Sequence, residues 1–238
     1  MSQKPFVSIL TPTFNRRKFI SSMIECYKAQ TYPKEKMEWI ILDDGDDPVK
    51  DLFDLVIKEL PNIRYIQHSS KLLIGAKRNI LNKEAKGEIL IAMDDDDYYL
   101  PDRVSHVVQK ALQNPTIPVF GSSELYLYYT DVKDIYKFGP YGANHATNGT
   151  MAWRKSYALT HSYDETVAFA EEKSFLENYS VPVVQLDPFK VMLVMSHSDN
   201  TFNKKQFREK ETPFVKKTSL KISYFIKDAK LRKFYESA

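Results

Sequence analysis

The sequence contains a single cysteine, Cys26, among its 238 residues. One cysteine cannot form a disulfide within the chain, and it cannot build a cysteine metal cluster. Cys26 falls in an apolar pattern of helical spacing, so we expect a buried core thiol. This cysteine content suits a reducing compartment.

Long hydrophobic runs are also missing. No apolar segment approaches the roughly 18 residues of a membrane-spanning helix. The first residues, MSQKPFVSIL, contain no apolar signal-peptide core followed by a small-residue cleavage site. The sequence therefore predicts a cytoplasmic protein. The triplet Asn148-Gly149-Thr150 is then a chance match to a glycosylation site, because that modification needs a secretory route.

The common signatures of nucleotide and calcium sites are absent as well. The sequence has neither the Gly-x-x-x-x-Gly-Lys-Ser/Thr phosphate loop nor the Gly-x-Gly-x-x-Gly dinucleotide fingerprint. The acidic stretches DDGDDP and DDDDYY lack the alternating ligands, the glycine and the distant glutamate of an EF-hand. These classes of site are excluded, and we find no internal repeat or low-complexity linker.

The charges that are present are unevenly distributed. Residues 203–238 hold eleven Lys or Arg against four Asp or Glu, so this tail carries +7 and the remainder −4 of the net +3. The tail mixes its cations with Phe, Ile, Leu and Tyr, as an amphipathic helix would. It could lie on an anionic membrane surface or pack against the acidic body, and a nucleic-acid partner is not expected.

Strand-like apolar runs alternate with segments of helical spacing along the first part of the chain. The strand candidates are FVSILTPTF, EWIILDD, IRYIQ and ILIAM, the first ending in a Thr-Pro-Thr turn. The helix candidates are RRKFISSMIECYKAQ, VKDLFDLVIKEL and GAKRNILNKEAKGE. This order predicts an α/β fold whose mainly parallel sheet is flanked by helices on both faces.

After about residue 118 the pattern changes. The segments VFGSSELYLYYTD, DIYKFG, VPVVQLD and KVMLVMSH are β-rich and aromatic, and DETVAFAEEKSFLENY has the composition of a helix start. We therefore expect a smaller β-rich subregion packed on the first, followed by the mainly helical tail.

Polar clusters follow three of the predicted strands, at residues 11–15, 43–47 and 94–97. Because ligands of open parallel sheets bind beyond the carboxyl ends of the strands, we expect these clusters to meet at one crevice. Four consecutive aspartates there would suit Mg²⁺ or Mn²⁺, which prefer oxygen ligands and substrate phosphates. A solvated loop or a helix N-terminus is the alternative reading of the same run.

Four stretches at matching order and spacing carry a family resemblance: VSILTPTFNR, AQTYPKEKMEWIILDDGDD, IGAKRNILNKEAKGEILIAMDDDDYYLPDRV and AEEKSFL. Together they resemble the family 2 glycosyltransferases, which have the GT-A fold. The resemblance covers roughly residues 5–200. It implies one catalytic domain over residues 1–202, with a nucleotide-sugar-binding half at 1–117 and an acceptor-side half at 118–202, before the tail at 203–238.

By resemblance the protein is a metal-dependent, inverting glycosyltransferase. Its expected donor is a nucleotide diphosphate sugar, with a UDP-sugar as the first expectation, and its expected acceptor is a glycan or glycoconjugate. The residues that match the family's donor site are Thr11, Pro12, Thr13, Asn15, Asp44, Gly75, Lys77, Arg78, Asp94 and Asp95. Asp46 replaces the serine of the family's DDGS motif, which adds negative charge beside the expected base pocket.

The resemblance also implies the metal ligands. The family's DxD motif falls on Asp94–Asp97, so Asp96 is the expected ligand for Mn²⁺ or Mg²⁺, with Asp95 open as the alternative because the register is ambiguous by one residue. Asp97 is expected to orient or cap the following segment. His197 matches a metal-binding histidine of some GT-A enzymes, and a structural histidine is the alternative.

Glu172 matches the position of the family's catalytic base, which is usually an aspartate. An inverting transfer needs a base on the acceptor hydroxyl, and a carboxylate can supply it. The alternative is a solvated helix face formed by Glu171, Glu172 and Lys173.

The acceptor side matches the family only loosely, at Asn148, Gly149 and Trp153. Tyr126, Tyr128 and Tyr129 offer rings that could stack on a sugar, although core packing is the more common use of such residues. Two other functions fit the same fold class. One is a sugar-nucleotide nucleotidyltransferase, but such enzymes have a glycine- and arginine-rich loop after the first strand, and the sequence TPTFNRR at this position is not such a loop. The other is a module that binds a nucleotide sugar or a glycan without catalysing a reaction.

Overall fold

The computed structural model describes residues 4–60, 62–198, 200, 204–209 and 212–237. The strands are β1 (Val7–Thr13), β2 (Met37–Asp43), β3 (Ile63–Gln67), β4 (Ile89–Ala92), β5 (Tyr98–Tyr99), β6 (Val119–Gly121), β7 (Leu125–Tyr129), β8 (Asp134–Phe138), β9 (Ala152–Arg154), β10 (Val183–Gln185), β11 (Met192–Ser196) and β12 (Val215–Lys217). The α-helices are α1 (Arg17–Lys28), α2 (Lys50–Asp54), α3 (Ile74–Glu84), α4 (Arg103–Gln113), α5 (Lys155–Ala158), α6 (Glu172–Phe175), α7 (Ile222–Phe225) and α8 (Ala229–Ser237).

The larger sheet has the strand order β10-β6-β9-β4-β1-β2-β3. Strands β4, β1, β2 and β3 run parallel to one another, while β9 is antiparallel to both β4 and β6. The prediction of an α/β fold with a mainly parallel sheet is confirmed.

Helices cover both faces of this sheet, as the uninterrupted apolar sequence of β2 requires. Trp39 and Ile41 face a core that includes residues of α1, α2 and α4. Ile40 and Leu42 face a second core with residues of α3, α5 and α6. Alternate side chains of one strand thus serve two cores, so the whole strand is buried.

Two predicted helices are much shorter than their patterns suggested. Helix α2 ends at Asp54 and buries only Phe53, so little packing sustains further turns, and Leu55 is exposed. In the segment 164–179 only α6 is helical. Ala170 before it and Glu177 after it have left-handed backbone angles, which a helix cannot continue through.

The turn expected at Thr11–Thr13 is also wrong, because β1 continues to Thr13, which pairs with Asp43 of β2. The extra strand length follows from burial. Both Thr11 and Thr13 are buried in the sheet, where backbone groups must be hydrogen-bonded to their neighbours.

The smaller sheet has the order β12-β8-β7-β11-β5 and forms the β-rich subregion. Its edge strand β5 directly follows the acidic run and pairs with β11. Tyr126, Tyr128 and Tyr129 of β7 are all buried. Their rings pack in the core and do not offer a sugar-stacking surface.

The basic tail packs against the rest of the molecule. It was expected to be mainly helical, but its described part also contains β12, which pairs with β8 and lies between a 3-10 helix at Lys204–Phe207 and the helices α7 and α8. Phe225, Ile226 and Tyr235 of the tail are buried, and Tyr235 Oη lies 3.9 Å from Sγ of the buried Cys26. None of the described helices combines the length and apolarity needed to cross a bilayer.

Two adjacent tail residues provide a test of this packing. Phe225 is 2% exposed and contacts the rings of Tyr126 and Phe189, whereas Tyr224 is 51% exposed. We expect Phe225→Ala to lower the free energy of unfolding by about 3–5 kcal/mol because it leaves a cavity. The matched variant Tyr224→Ala, which removes a half-exposed ring packed edge-on against Phe189 and Phe225, should change it by about 1 kcal/mol. Urea denaturation of both variants measures the difference, and equal small effects would contradict a packed tail.

Candidate active site

A crevice of about 400 Å³ opens beyond the carboxyl ends of β1 and β4. Its lining combines residues from the first strand, helix α3 and the acidic run: Pro12, Thr13, Phe14, Asn15, Arg16, Ile74, Lys77, Arg78, Asp94, Asp95 and Asp96. Most of the residues predicted for the donor site therefore meet here, as the strand-end rule anticipates.

Thr11 differs from its neighbours, because it is buried beneath the crevice. Its hydroxyl donates to the Met93 carbonyl at 2.7 Å and accepts from Trp39 Nε1 at 2.9 Å. Thr11 thereby joins β1 to the residue just before the acidic run. Asn15 at the rim has a left-handed backbone (φ 54°), and its amide oxygen accepts from the Asp47 backbone N–H at 3.2 Å.

Asp44 is buried and forms an ion pair with Lys77, which also donates to the Thr13 carbonyl at 3.1 Å. The other carboxylate oxygen of Asp44 accepts from the Leu72 backbone N–H at 2.6 Å. These contacts join the end of β2 to the start of α3. Asp46, the departure from the family motif, is exposed and does not line the crevice.

Gly75 is the second residue of α3 and lies outside the crevice lining. A Cβ atom at this position would come within 2.0 Å of the Asp164 carbonyl oxygen. The glycine therefore allows α3 to approach the segment that leads into α6. This approach brings Arg78 of α3 within reach of Glu171.

Arg78 connects the two sides of the site. Its Nε lies 2.7 Å from Glu171 Oε1 and its Nη1 lies 3.0 Å from Asp94 Oδ1. Assigned from its hydrogen-bond network, the Asn148 amide presents its oxygen to Arg78 Nη1 at 2.8 Å and its nitrogen to Tyr163 Oη at 2.7 Å. The guanidinium is thus fixed by two carboxylates and an amide.

The remaining aspartates of the run have three different environments. Asp95 is buried, with Arg16 Nε 3.9 Å away. Asp96 is partly exposed, and its Oδ2 lies 3.2 Å from both His197 Nε2 and Asn200 Nδ2.

Asp97 is buried and accepts from the Met195 backbone N–H of β11 at 2.8 Å. It does not cap α4, which begins at Arg103, because its carboxylate faces the smaller sheet. It therefore orients the following segment by binding it to β11.

The electrostatic consequences differ along the run. Burial and the charge of Asp96 hold the pKa of Asp95 well above its usual value. Burial raises the pKa of Asp97 to about 7. Burial acts in the same direction on Asp96, but the hydrogen bond with His197 and the charge of Lys204 outweigh it and keep its pKa below the usual range. Asp96 is therefore the most readily ionised of these three carboxyl groups.

The donor set fits an open divalent-cation site. Within the described ranges no three His, Cys, Asp or Glu side chains are arranged to enclose a metal by themselves. Mg²⁺ and Mn²⁺ bind through one or two protein ligands completed by substrate phosphates and water. The carboxylate of Asp96, which lines the crevice, and the buried imidazole of His197, 3.2 Å from it, supply such a partial set.

Glu171 and Glu172 are both buried, so the alternative of a solvated helix face is wrong for this pair. Glu171 is paired with Arg78. Burial, and then the charge of Glu171, raise the pKa of Glu172 from its ordinary value of 4.5 to about 7. A carboxyl group with this pKa can accept a proton near neutral pH.

The family model of glycosyl transferase family 2 matches residues 8–174, a range that includes nearly all of these groups. The chain belongs to this family. Among the curated relatives of this family 2 chain, a poly(ribitol-phosphate) beta-glucosyltransferase of Bacillus spizizenii is 35% identical over 94 residues, which are 39% of this chain and 15% of that protein.

Two solved structures confirm the GT-A fold of this family 2 protein. A mannosyltransferase from Pyrobaculum calidifontis, in complex with GDP-Man and Mn²⁺, superposes with a TM-score of 0.65 at 14% identity, covering 84% of this chain and 59% of the other. TarS of Staphylococcus aureus in complex with UDP-GlcNAc gives 0.64 at 17% identity, covering 82% and 60%. The chain thus spans about three-fifths of each solved chain.

Sequence reasoning missed Arg16 and Asn200, and it gave Asn148 only a loose acceptor-side match. Arg16 Nη2 lies 3.8 Å from Asp96 Oδ2, and Asn200 contacts both Asp96 and His197. Arg16 could have been found, because it directly follows the first polar cluster. Asn200 carried no signal, since its role depends on a contact between residues far apart in the chain.

The raised pKa of Glu172 predicts a pH-dependent stability. The folded state holds this proton more tightly than the unfolded state, so the contribution is complete below pH 4.5 and is lost as the pH rises through about 7. Relative to Glu172→Gln, the wild type should lose on the order of 2 kcal/mol of unfolding free energy between pH 5 and pH 8.

Urea denaturation of both proteins at the two pH values measures this loss. Asp54→Asn, which removes an exposed carboxylate paired with Lys50 on α2, is the control. An unchanged difference between Glu172→Gln and the wild type at the two pH values would mean that Glu172 is already ionised throughout.

Proposed function

We propose that this family 2 protein transfers a sugar from a nucleotide diphosphate donor to a hydroxyl group and inverts the anomeric centre. One observation carries the proposal. Asp96, which is ionised and lies beside His197, lines the crevice at the strand ends, and the segment that contacts Arg78 of the same crevice carries a buried carboxyl group, Glu172, whose pKa is raised to about 7. Arg78 connects the two sides through Asp94 and Glu171.

The donor is proposed to lie in the crevice, with its nucleotide against Pro12, Thr13 and Asn15. UDP-sugars are our first candidates, followed by dTDP- and GDP-sugars. Solved relatives with the same fold support this range, since TarS is known in complex with UDP-GlcNAc and the Pyrobaculum mannosyltransferase with GDP-Man and Mn²⁺. Asp44 organises the pocket through its pair with Lys77.

Asp96 and His197 would hold Mn²⁺ or Mg²⁺, and the bound ion would supply positive charge to the departing diphosphate. Lys77 and Arg78 line the same crevice and add their charges to those that stabilise the leaving group. Asp95 is the alternative ligand, but we favour Asp96, because its carboxylate is partly exposed and lies 3.2 Å from His197 Nε2, whereas Asp95 is buried.

Glu172 acts as the general base. It accepts the proton of the acceptor hydroxyl as the oxygen forms a bond to the anomeric carbon, and the carbon–oxygen bond to the diphosphate breaks, with the electron pair leaving on the nucleoside diphosphate. Attack from the side opposite the leaving group inverts the centre. The acceptor is proposed to be a glycan or glycoconjugate.

A nucleotidyltransferase would require an arginine- and glycine-rich loop after the first strand, and β1 ends instead in the sequence TPT. A module that only binds sugar nucleotides would keep donor affinity without turnover. Measured transfer therefore separates our proposal from a binding module.

The first experiment is a thermal-shift and nucleotide-release screen of UDP-, dTDP- and GDP-sugars with Mn²⁺, Mg²⁺ or EDTA. A ligand that binds only the native state stabilises it, by about 2.7 kcal/mol at a hundred times its dissociation constant. We expect one sugar nucleotide to raise the melting temperature in the presence of metal. Stabilisation that persists unchanged in EDTA would contradict a metal-dependent donor site.

Two variants test the roles of the carboxylates. Asp96→Ala and Glu172→Gln should each reduce transfer by at least about 100-fold, the effect expected of losing a metal ligand or a general base. Only Asp96→Ala should also lose the metal-dependent thermal shift. Asp54→Ala, which removes an exposed carboxylate on α2, serves as the matched control. Near-normal turnover of Glu172→Gln would show that Glu172 is not the general base.

A further inference from the structure

Four rings from three separate segments form a continuous series on the surface beside the active site. The ring centroids of Tyr179 and His145 are 4.7 Å apart, those of His145 and Tyr141 are 4.9 Å apart, and those of Tyr141 and Phe214 are 5.4 Å apart. We call Tyr179, His145, Tyr141 and Phe214 the aromatic row. Tyr141 and Phe214 are 42% and 43% exposed, so this end of the row lies at the surface, whereas Tyr179 at the other end is partly buried against the core.

One end of the aromatic row lies near the proposed base. The carboxylates of Glu172 and Glu171 are the charged groups that act on the Tyr179 hydroxyl and help burial to raise its pKa. The loop that carries Tyr141 and His145 continues to Asn148, whose amide contacts Arg78 in the active site. The row therefore extends away from the catalytic carboxylates on the acceptor side.

Backbone contacts hold the row in position. Gln185 Nε2 donates to the carbonyls of Ala143 at 2.7 Å and His145 at 3.1 Å, which fixes the loop against β10. The Gly139 backbone N–H donates to the Phe214 carbonyl at 2.8 Å, which joins the tail to the same loop.

The backbone that presents Tyr179 is unusual. Glu177, Asn178 and Tyr179 have φ values of 48°, 56° and 63°, three successive left-handed residues. Such a conformation is sterically unfavourable for an L-amino acid that carries a Cβ atom. Unfavourable backbone of this kind persists where the surrounding structure enforces it, and it is concentrated at functional sites.

We propose that the aromatic row is the acceptor subsite and binds the apolar faces of pyranose rings in a carbohydrate chain. This inference rests on the proposed glycosyl transfer. The C–H face of a pyranose carries weakly positive hydrogens that are attracted to the negative face of an aromatic ring. A sugar at the Tyr179 end has its hydroxyl groups near Glu172, while later sugars of the chain lie toward Tyr141 and Phe214.

Charge favours a carbohydrate over an anionic membrane as the occupant. The groups that act on the Tyr179 hydroxyl are the carboxyl groups of Glu171 and Glu172, which offer no attraction to lipid phosphates and accept neutral sugars. A membrane-binding surface would pair its rings with cations. In the described part of the tail, Tyr224 has a lysine, Lys227, 5.3 Å from its ring, and it lies outside the row.

The test is saturation-transfer NMR on the full chain, with a panel of neutral di- and trisaccharides of glucose, galactose, mannose and N-acetylglucosamine. We expect saturation to reach the ring C–H protons of at least one oligosaccharide. Tyr141→Ala and Phe214→Ala should each weaken its binding by roughly 2- to 10-fold, the value of one aromatic contact. Tyr141→Phe should bind like the wild type, because it keeps the ring.

Tyr224→Ala is the matched control, since it removes an exposed tail ring outside the row and should not change oligosaccharide binding. The inference is overturned if no oligosaccharide of the panel receives saturation, or if Tyr141→Ala and Phe214→Ala bind as tightly as the wild type. It is also overturned if these two variants lose affinity only for phosphatidylglycerol vesicles.

Donor binding separates the two proposals. A metal-dependent thermal shift with a sugar nucleotide that survives in Tyr141→Ala and Phe214→Ala keeps the proposed function, whatever the outcome for oligosaccharides. If the wild type itself shows no thermal shift with any sugar nucleotide, the proposed glycosyl transfer is contradicted, and the acceptor subsite that depends on it is contradicted too.

Discussion

Repulsion among four adjacent carboxylates at the end of β4 is the constraint on which the arrangement around the active site depends. Each carboxylate needs a cation, a hydrogen-bond donor or a proton if it is to remain near the protein interior. The partners come from different parts of the fold: Arg78 of α3 for Asp94, His197 and Asn200 for Asp96, and the backbone of β11 for Asp97. Because these partners must reach the four carboxylates, α3 and the smaller sheet lie close together on one side of the crevice.

The parallel sheet could be predicted because β2 and β4 are short apolar runs that end in aspartates, and local sequence alone determines that pattern. Asp96 and Arg78 meet at the crevice, as the motifs they belong to predict, and Arg78 contacts Glu171, the neighbour of Glu172. The roles of these residues stay predictions. The ends of two helices could not be predicted. Helix α2 ends early because only Phe53 of it is buried, and α6 is bounded by the left-handed residues Ala170 and Glu177. The contact of Asn200 with Asp96 joins residues 104 positions apart.

The burial of aromatic residues is also difficult to predict from local sequence. A tyrosine of β7 and Tyr141 look alike in sequence, yet one ring is buried and the other is exposed. The difference arises because β11 and β8 flank β7 on both sides, while Tyr141 lies in an irregular loop beyond β8. Burial of a ring is therefore a property of the assembled sheet. The residues proposed to contact the acceptor come from segments whose sequences show no family motif.

The tail has a consequence for how the protein is made. Tyr235 Oη donates to the backbone carbonyl of Asp97 at 3.0 Å, and the ring of Phe234 lies 5.9 Å from that of Phe19, which in turn lies 4.6 Å from His197. The acidic loop and the imidazole are thus supported by residues that the ribosome adds more than a hundred positions after the aspartates. A nascent chain can form its parallel sheet early, but the edge that carries Asp96 and His197 is complete only after residue 235 has left the exit tunnel.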